Sequence, residues 1–257
     1  LPHCRYCSRA AYKTIDKVSV CQEHSRLHSV GKYHSNSSRD YPKFEGEFLD
    51  NFKLYLGVEL EVDQDPRNSR PVYGGLAIAC AHTYMDETGD ELEFTSDSSL
   101  SNGSGFEMIS HPKTIDAWHK KRADWAVLFK RFIKAGIRGH DAACAGFHVH
   151  VSRAAFKDEK KAFVRMQVLM HRHLTKVLTI SRRTERRMND YAYPVEGMQG
   201  IAKFTPKDFS ILNYCHELRV TGHHLLAVDG SVPTFEFRIF RSTLNIETFM
   251  ATLDFVY

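Results

Sequence analysis

Three short segments of this sequence each carry two ionisable residues, two positions apart, between hydrophobic neighbours. The pairs are Glu59 and Glu61 in segment 57–62, His148 and His150 in segment 146–151, and Glu236 and Arg238 in segment 234–241. Because successive side chains of a β-strand point to opposite faces, each pair would share one face and the hydrophobic residues the other. Solvated strand faces are the simple alternative, but the pattern recurs three times. The sequence therefore predicts a sheet whose polar face forms an active site.

The carboxylates on this face indicate what chemistry it performs. Glu107, between hydrophobic residues at 106–110, adds a fourth carboxylate to Glu59, Glu61 and Glu236. Like charges at close range raise each other's pKa, so such a group is buried together only when cations neutralise it. Oxygen ligands favour Mg²⁺ or Mn²⁺ and tolerate one imidazole, and arginines beside such metals commonly bind phosphate. Since the sequence has no GxxxxGK[ST] or GxGxxG motif, we expect a nucleotide held by a sheet.

Hydrophobic spacing predicts the elements that hold these residues. Helices are expected over 114–135, over 158–181 and from 246 onward, with a strand over 91–97 and either helix or strand over 73–84. In the second helix we expect a buried stripe of Phe163, Met166, Leu169, Met170, Leu174, Val177 and Leu178. The last helix has no stop signal, which leaves open whether the native protein or its ordered part extends beyond Tyr257.

Two polar regions follow the second helix. The first is a cluster of four arginines, Arg182, Arg183, Arg186 and Arg187. These side chains either complement the C-terminal end of the helix dipole or reach a phosphate. The second region, 189–217, is rich in proline, glycine and tyrosine, which is typical of a long loop or a lid over a site.

The first thirty residues carry a separate set of metal ligands. Cys4 and Cys7, then Cys21 and His24, form two pairs with two residues inside each pair. Three thiolates and a neutral imidazole suit tetrahedral Zn²⁺, and disulfides with an unrelated histidine are the alternative. The unclustered cysteines at 80, 144 and 215 argue against an oxidising compartment. We therefore predict a structural zinc and a cytoplasmic protein; basic residues around the knuckles leave nucleic-acid binding open.

Composition and charge indicate a globular protein with a small added module. The 257 residues are 42% hydrophobic and 26% charged, with a formal net charge of +4. No apolar run reaches the ~20 residues of a membrane span, so no membrane partner is expected. We predict a zinc-binding module over 1–27, a serine-rich linker over 28–46 and a main domain over 47–257.

Four short motifs, in order, resemble the amidoligase family. They are Gly-x-Glu-Leu-Glu at 57–61, Asp-x-Ser-Leu at 97–100 with Glu107 and Ser110-x-Pro112, Gly-Phe-His-Val-His at 146–150, and Phe-Glu-Phe-Arg at 235–238. This family belongs to the glutamine synthetase and glutamate–cysteine ligase superfamily of carboxylate–amine ligases. The resemblance does not extend to the predicted zinc module. It implies an α+β domain whose curved, antiparallel-rich sheet forms a funnel that binds ATP and Mg²⁺ or Mn²⁺.

The resemblance also implies which residues would bind the metal ions. Glu59 and Glu61 would each bind a different ion, and Glu107 would join one of them. His148 and Glu236 would complete the other site. A further acidic ligand that superfamily members often carry after the Glu107 strand has no counterpart that we can identify, so the number of metal ions stays open.

The remaining roles concern ATP and the substrates. The resemblance places His150 near the nucleotide and Arg238 near its transferred phosphate, with Arg241 as a candidate for binding phosphate or a substrate carboxylate. It implies that ATP activates a carboxylate as an acyl phosphate, which an amine then attacks to form an amide. The candidates for binding the amine are Asp190, Glu196 and Asp208. Peptide, amino acid, polyamine and modified nucleobase all stay open as substrates.

Two other classes of function are compatible with parts of the pattern. A metal-dependent hydrolase would use His148 and His150, although the excess of glutamate over histidine argues against a zinc or iron centre. A zinc-knuckle protein with a non-catalytic core would bind nucleic acid, although basic patches interleaved with aromatic residues are not evident after the first thirty residues.

Overall fold

The computed structural model describes residues 13–15, 18–20, 53–67, 74–90, 92–95, 97, 99–101, 105–142, 144–195, 220, 224–228 and 234–257. Two short strands, β1 (Lys13–Ile15) and β2 (Val18–Val20), pair antiparallel near the N-terminus. The four predicted zinc ligands and the predicted linker lie outside the described residues. The zinc module and the division of the chain into domains therefore stay predictions.

The described part of the main region is built on a seven-stranded sheet. Its strands are β3 (Leu56–Gln64), β4 (Leu92–Thr95), β5 (Phe106–Ser110), β6 (Ile137–Arg138), β7 (Gly146–Ser152), β8 (Leu226–Val228) and β9 (Thr234–Arg241). The strand order is β4-β5-β3-β7-β9-β8, with β6 paired to β3, and every pairing is antiparallel. The three segments with paired ionisable residues are strands, as predicted.

The described residues also form six α-helices and one 3-10 turn. They are α1 (Gly74–Thr88), α2 (Ile115–Lys134), the turn Arg153–Ala155, α3 (Glu159–Arg172), α4 (Leu174–Ser181), α5 (Glu185–Tyr191) and α6 (Ile246–Val256). The α+β class with an antiparallel sheet is thereby confirmed. Within the described residues, no helix combines the length and apolar character that crossing a membrane would require.

Helices α2 and α6 cover the hydrophobic face of the sheet. The Phe249 ring on α6 stacks on Phe147 of β7 at 5.0 Å and on Trp125 of α2 at 5.1 Å. The Trp118 indole donates a hydrogen bond to the Leu56 carbonyl at 2.9 Å. Burying each large aromatic side chain stabilises the fold by roughly 1.5–3 kcal/mol. This packing leaves the opposite face of the central strands for the ionisable residues.

Helices α2 and α6 confirm two of the helices that hydrophobic spacing predicted. Helix α2 begins after Thr114, whose hydroxyl accepts the Ala117 N–H, and it ends just before Gly136, which has φ 88°. Thr114 caps the helix because its side chain satisfies a backbone donor that lacks a partner within the helix. In α6 the Asn245 side chain caps the Thr248 N–H in the same way.

The second predicted helix is wrong in two respects. It breaks at His173 into α3 and α4, and Leu169 is 61% exposed instead of buried. Gln167 and His171 are buried in α3, where the Gln167 amide donates to the Leu226 carbonyl at 2.7 Å and the Val195 N–H donates to the His171 ring at 2.9 Å. Tertiary hydrogen bonds place these polar residues inside, and hydrophobic spacing cannot reveal them.

Two smaller expectations are corrected or decided by the structure. Segment 73–84, which fitted either element, is helical in α1. The region expected to be a loop from 189 onward begins instead with the last residues of α5, and 196–219 lie outside the described residues.

Candidate functional site

Strand pairing brings the ionisable residues of four strands together. Across β3 and β7, Glu59 pairs with His148; across β3 and β5, Glu61 pairs with Glu107; across β7 and β9, His150 pairs with Glu236. Directly opposed residues have Cβ atoms only about 4.5–5.5 Å apart. Since β5, β3, β7 and β9 are adjacent in the sheet, one continuous patch carries four carboxylates and two imidazoles. We name these six residues the carboxylate–histidine cluster.

His148 lies at the centre of the carboxylate–histidine cluster. Its Nδ1 is 3.3 Å from Glu59 Oε2 and 3.2 Å from Glu236 Oε1, and its Nε2 is 3.8 Å from Glu61 Oε1. The His148 side chain is 5% exposed. An imidazole this buried among three carboxylates is either a counter-charge for them or a fellow ligand of a cation.

His150 lies one step further along the same face. Its Nδ1 is 2.9 Å from the Thr234 hydroxyl, which orients the ring. Its Nε2 is 3.1 Å from Glu59 Oε1, yet this buried nitrogen has no hydrogen bond of acceptable geometry. This nitrogen and the carboxylate oxygen are therefore close enough for one cation to bind both.

Two groups of three side chains in the cluster could each hold a metal ion. One group is Glu59, His150 and Glu236, and the other is Glu59, Glu107 and His148; within each group the ligand atoms lie within 4.8 Å of one another. Glu59 belongs to both. Carboxylate oxygens with one imidazole per site fit Mg²⁺ or Mn²⁺, so the residues fit the metals that the sequence implied.

The pKa values of the cluster show an excess of negative charge. Burial and the nearby Glu59 charge raise the pKa of Glu107 to about 8, although the Thr95 hydroxyl donates to it at 2.8 Å. Burial and the Arg238 charge lower the pKa of His148, but hydrogen bonds to Glu236 and Glu59 outweigh them and raise it to about 9. Without a metal ion the cluster therefore keeps protons that a cation would replace.

Glu59 and Glu236 are held as carboxylates. Burial raises the pKa of each, but the positive charges of His148 and His150 and the hydrogen bonds of His148 outweigh burial, so that both pKa values lie below the usual range. Ionised oxygens are what a hard cation requires.

Glu61 has surroundings different from those of the other carboxylates. One of its oxygens accepts the Gly146 N–H, and it belongs to neither three-residue metal group. A Cβ atom on Gly146 would lie 2.8 Å from Arg183 Nη2, 3.1 Å from His148 Nε2 and 3.2 Å from Glu61 Oε2. Glycine at 146 therefore allows these three side chains to converge, and the predicted role of Glu61 at a separate metal ion stays a prediction.

The two predicted arginines of β9 occupy different positions. Arg238 donates a hydrogen bond from Nη1 to Glu236, while its buried Nε has no partner. Arg241 pairs with Gly146 at the far end of β9. Between them the β7–β9 register shifts, so that Phe240 and not Ile239 pairs with Phe147 on the hydrophobic face. The irregularity places two residues opposite His148, while the alternation of β9 holds as far as Ile239, which is buried like Phe235 and Phe237.

Arg183 belongs to the site, although the sequence showed it only as part of the arginine cluster. Its Nε donates to the Ile239 carbonyl at 3.2 Å and its Nη2 to the Phe240 carbonyl at 3.0 Å. Burial lowers its pKa to about 10, although the Glu61 charge opposes this. Arg186, by contrast, is exposed on α5, where it lies 4.0 Å from Asp190.

The candidates for binding the amine are not brought together among the described residues. Asp190 lies on α5 beside Arg186, and Glu196 and Asp208 lie outside the described residues.

A scan against protein-family models finds no match for this sequence, and a search of curated proteins finds none either.

Proposed function

We propose that this protein is an ATP-dependent ligase that joins a carboxylate to an amine, through an amidoligase-like domain over 47–257. The observation that carries the proposal is the pair of candidate metal-binding groups that share Glu59. The residues of both groups would hold cations on one sheet face, and such cations would supply positive charge for binding phosphate. The proposed domain has a glutamine synthetase-like sheet, which is consistent with the antiparallel strands around the cluster.

The bound cations would supply positive charge that binds the ATP phosphates and withdraws charge from them. The protein's own residues would orient the reactants. His150, held by Thr234, would lie beside the nucleotide, and Arg238, held by Glu236, would stabilise charge that develops on the transferred phosphoryl group. The substrate carboxylate would take this phosphoryl group as an acyl phosphate, and the amine would displace phosphate.

The first experiment measures ATP binding by calorimetry with Mg²⁺, with Mn²⁺ and with excess EDTA. We expect ATP to bind only with the metal, and Glu59→Gln to weaken metal-dependent binding by roughly 10- to 100-fold. Glu247→Gln, which changes a carboxylate on α6 that is 69% exposed, is the matched control. Equal ATP affinity in EDTA would exclude the proposed site.

The second experiment tests the reaction. The protein is incubated with ATP, Mg²⁺ and pooled carboxylates and amines, and ADP release is followed. ADP that appears only when both a carboxylate and an amine are present supports a ligase, since the acyl phosphate then has an acceptor.

One observation favours a metal-dependent hydrolase as a second candidate. Each candidate metal-binding group contains one histidine, and His150 Nε2 lies 3.1 Å from Glu59. Imidazole and carboxylate ligands also suit metals that activate water. A hydrolase would release product from an amide or ester substrate without ATP, whereas the proposed ligase would not.

A further inference from the structure

Positive charge is concentrated in one segment of this chain. Residues 153–187 carry eleven Lys and Arg against three Asp and Glu, a net charge of +8, whereas the whole chain has 35 basic and 31 acidic residues, a net charge of +4. The other residues therefore contribute 24 basic and 28 acidic side chains, a net charge of −4. Such a separation gives one part of the surface a positive potential that attracts anions.

Part of this charge lies exposed along one face of helix α3. Lys161, Arg165 and Arg172 are exposed and occupy positions i, i+4 and i+11, which fall within about 40° of one another around a helix of 3.6 residues per turn. The opposite side of α3 packs on the sheet, where the Phe163 ring lies 5.0 Å from the Phe235 ring. The fold therefore directs the three basic side chains away from the sheet, and we name them the basic face.

The basic face is not neutralised by neighbouring carboxylates. In the described part of the chain, no Asp or Glu oxygen lies within the 4.0 Å ion-pair distance of the Lys161 ammonium or the Arg165 guanidinium. On α2, by contrast, Arg131 lies 2.7 Å from Glu87. Lys161 and Arg165 therefore keep their N–H donors for an anion from outside the chain.

The positions of these charges also cost helix stability. Lys161 lies in the first turn of α3, where the positive end of the helix dipole disfavours a cation. Lys161 and Arg165 are like charges four residues apart, which repel each other on a helix surface. Glu159 acts in the opposite sense at the same helix end, but it is bonded to Arg153 at 2.8 Å. Charges kept at such positions indicate a partner that binds them.

The phosphate backbone of a double-stranded nucleic acid fits this face. Duplex DNA carries one negative charge per about 1.7 Å of its axis, twice the density of a single strand. With 14 residues, α3 is about 21 Å long, so that it spans many phosphates of a duplex laid along it. Lysine and arginine side chains bind phosphate oxygens without contacting the bases.

Two other anionic partners fit the basic face less well. Single strands are bound by stacking their bases on aromatic rings, but the exposed residues of α3 include no aromatic side chain. Membrane surfaces take up a broad apolar helix face, but Phe163 and Met170 of α3 are buried, which leaves Leu169 as its exposed large hydrophobic residue. A duplex requires only the charge that the basic face carries.

The basic face lies on the side of the sheet away from the carboxylate–histidine cluster. Helix α3 packs on Phe235, whereas Glu236, the next residue of β9, belongs to the cluster. Because successive side chains of a strand point to opposite faces, a duplex on α3 would be separated by the sheet from the carboxylates that repel phosphate.

We propose that α3 is a docking surface for the phosphate backbone of double-stranded nucleic acid, which Lys161, Arg165 and Arg172 bind without reading its sequence. This surface is separate from the predicted zinc module and from the proposed ATP site. The inference therefore goes beyond the proposed ligase reaction and does not depend on it. Since such binding releases counterions from the duplex, its affinity should fall steeply with salt.

The test measures binding of the full chain to a fluorescein-labelled DNA duplex of mixed sequence, by fluorescence anisotropy at increasing NaCl concentrations without ATP or Mg²⁺. The double variant Lys161→Glu/Arg165→Glu should bind the duplex roughly 10- to 100-fold more weakly. The slope of log K against log[NaCl] should become shallower by about two, one for each lost phosphate contact. Glutamate at 161 suits the first turn of α3, so the double variant is expected to fold.

The matched control is Lys120→Glu/Lys130→Glu. Both lysines are exposed on α2, and the double variant changes the net charge by the same amount. It should bind the duplex like the wild type, because a docking surface depends on where the charges lie and not on their total. An equal loss of affinity in the two double variants would overturn the inference.

Parallel titrations use duplex RNA, single-stranded DNA, and vesicles of phosphatidylserine and phosphatidylcholine. Duplex DNA and duplex RNA share the phosphate chemistry, so binding of either through Lys161 and Arg165 supports the inference. No binding of a duplex, wild-type affinity in the Lys161→Glu/Arg165→Glu variant, or tighter binding of single strands or vesicles than of duplexes would each overturn it. ATP binding is measured separately: if ATP fails to bind while the duplex binds through α3, the docking surface stands and the ligase proposal falls.

Discussion

Two buried clusters of charge lie on different parts of this fold, and they differ in whether the chain neutralises them. The first cluster lies beside helices α1 and α2, where Lys113 Nζ is 2.8 Å from Asp90 Oδ1. The side chains of Tyr84 and Trp125 donate hydrogen bonds to Asp90 Oδ2 at 2.7 and 3.3 Å. Lys113 also lies over the Trp118 ring at 4.8 Å. Burial raises the pKa of Asp90, but Lys113 outweighs it and the pKa is lowered. Each charge there has its partners.

The carboxylate–histidine cluster is incomplete by comparison. Glu107 has a pKa of about 8 because it is buried beside Glu59, and His150 Nε2 has no aligned hydrogen-bond partner. A pair completed within the chain is explained by the fold, whereas an excess of buried carboxylates must be neutralised by retained protons or by a bound cation. The difference is why the proposed function is assigned to the carboxylate–histidine cluster and not to the Lys113–Asp90 pair.

The largest expected effect comes from breaking the complete pair. Lys113→Met leaves Asp90 buried without its counter-charge and should lower the free energy of unfolding by about 3–5 kcal/mol. Urea denaturation measures it. Lys121→Met is the control: Lys121 is 31% exposed, lies 3.8 Å from Asp124 and donates to the Thr88 carbonyl at 2.8 Å, so its loss should cost only about 1 kcal/mol. Equal losses in the two variants would contradict the comparison.

The next effect concerns Arg238 and Glu236 in the incomplete cluster. Arg238→Ala should leave ATP–Mg²⁺ binding largely intact and lower turnover by about a hundredfold, or about 3 kcal/mol, because in the proposed reaction the guanidinium would act on charge formed during phosphoryl transfer. Glu236→Ala should instead weaken metal-dependent ATP binding. ATP affinity and ADP release are measured for each variant. Wild-type binding and turnover in both would show that β9 is not the catalytic strand.

A smaller effect is the pH dependence of the metal-free protein. The folded pKa of Glu107, about 8, lies above the ordinary value of 4.5, so folding retains a proton that the unfolded chain releases. Stability from this group is therefore fully present below pH 4.5 and is lost as pH rises through 8. Glu107→Gln should reduce this fall. Urea denaturation in EDTA at pH 5 and pH 8 measures it, and identical pH profiles would contradict the assignment.

The smallest expected effect distinguishes two glycines of the polar face. A Cβ on Gly146 would crowd Arg183, His148 and Glu61, whereas the nearest atoms to a Cβ on Gly57 lie at 3.8 Å. Gly146→Ala should cost about 1 kcal/mol, since flexible side-chain ends can move, and should weaken Mg²⁺ binding as they do. Gly57→Ala is the matched control. Calorimetry compares the Mg²⁺ affinities of the two variants. Equal affinities would show that Gly146 does not contribute to the site.

Part of the candidate site was accessible from alternation alone. Strands have a repeat of two residues, so Glu59 with Glu61, and His148 with His150, share a face in whatever sheet contains them. Capping at Thr114 and Asn245 likewise depends on neighbouring residues. Gln167 and His171 were missed, because their burial depends on partners at Leu226 and Val195.

The amino-acid sequence by itself determined which residues lie on the polar faces, since alternation and helical spacing are local properties of the chain. Tertiary structure alone decided that Glu59 stands between His148 and β5, because strand order and register come from contacts distant in sequence. It also decided that the β7–β9 register shifts opposite His148 and that Arg182 and Arg183 donate hydrogen bonds to carbonyls at the end of β9. These features require atoms from separate elements to meet, and no local pattern encodes that meeting.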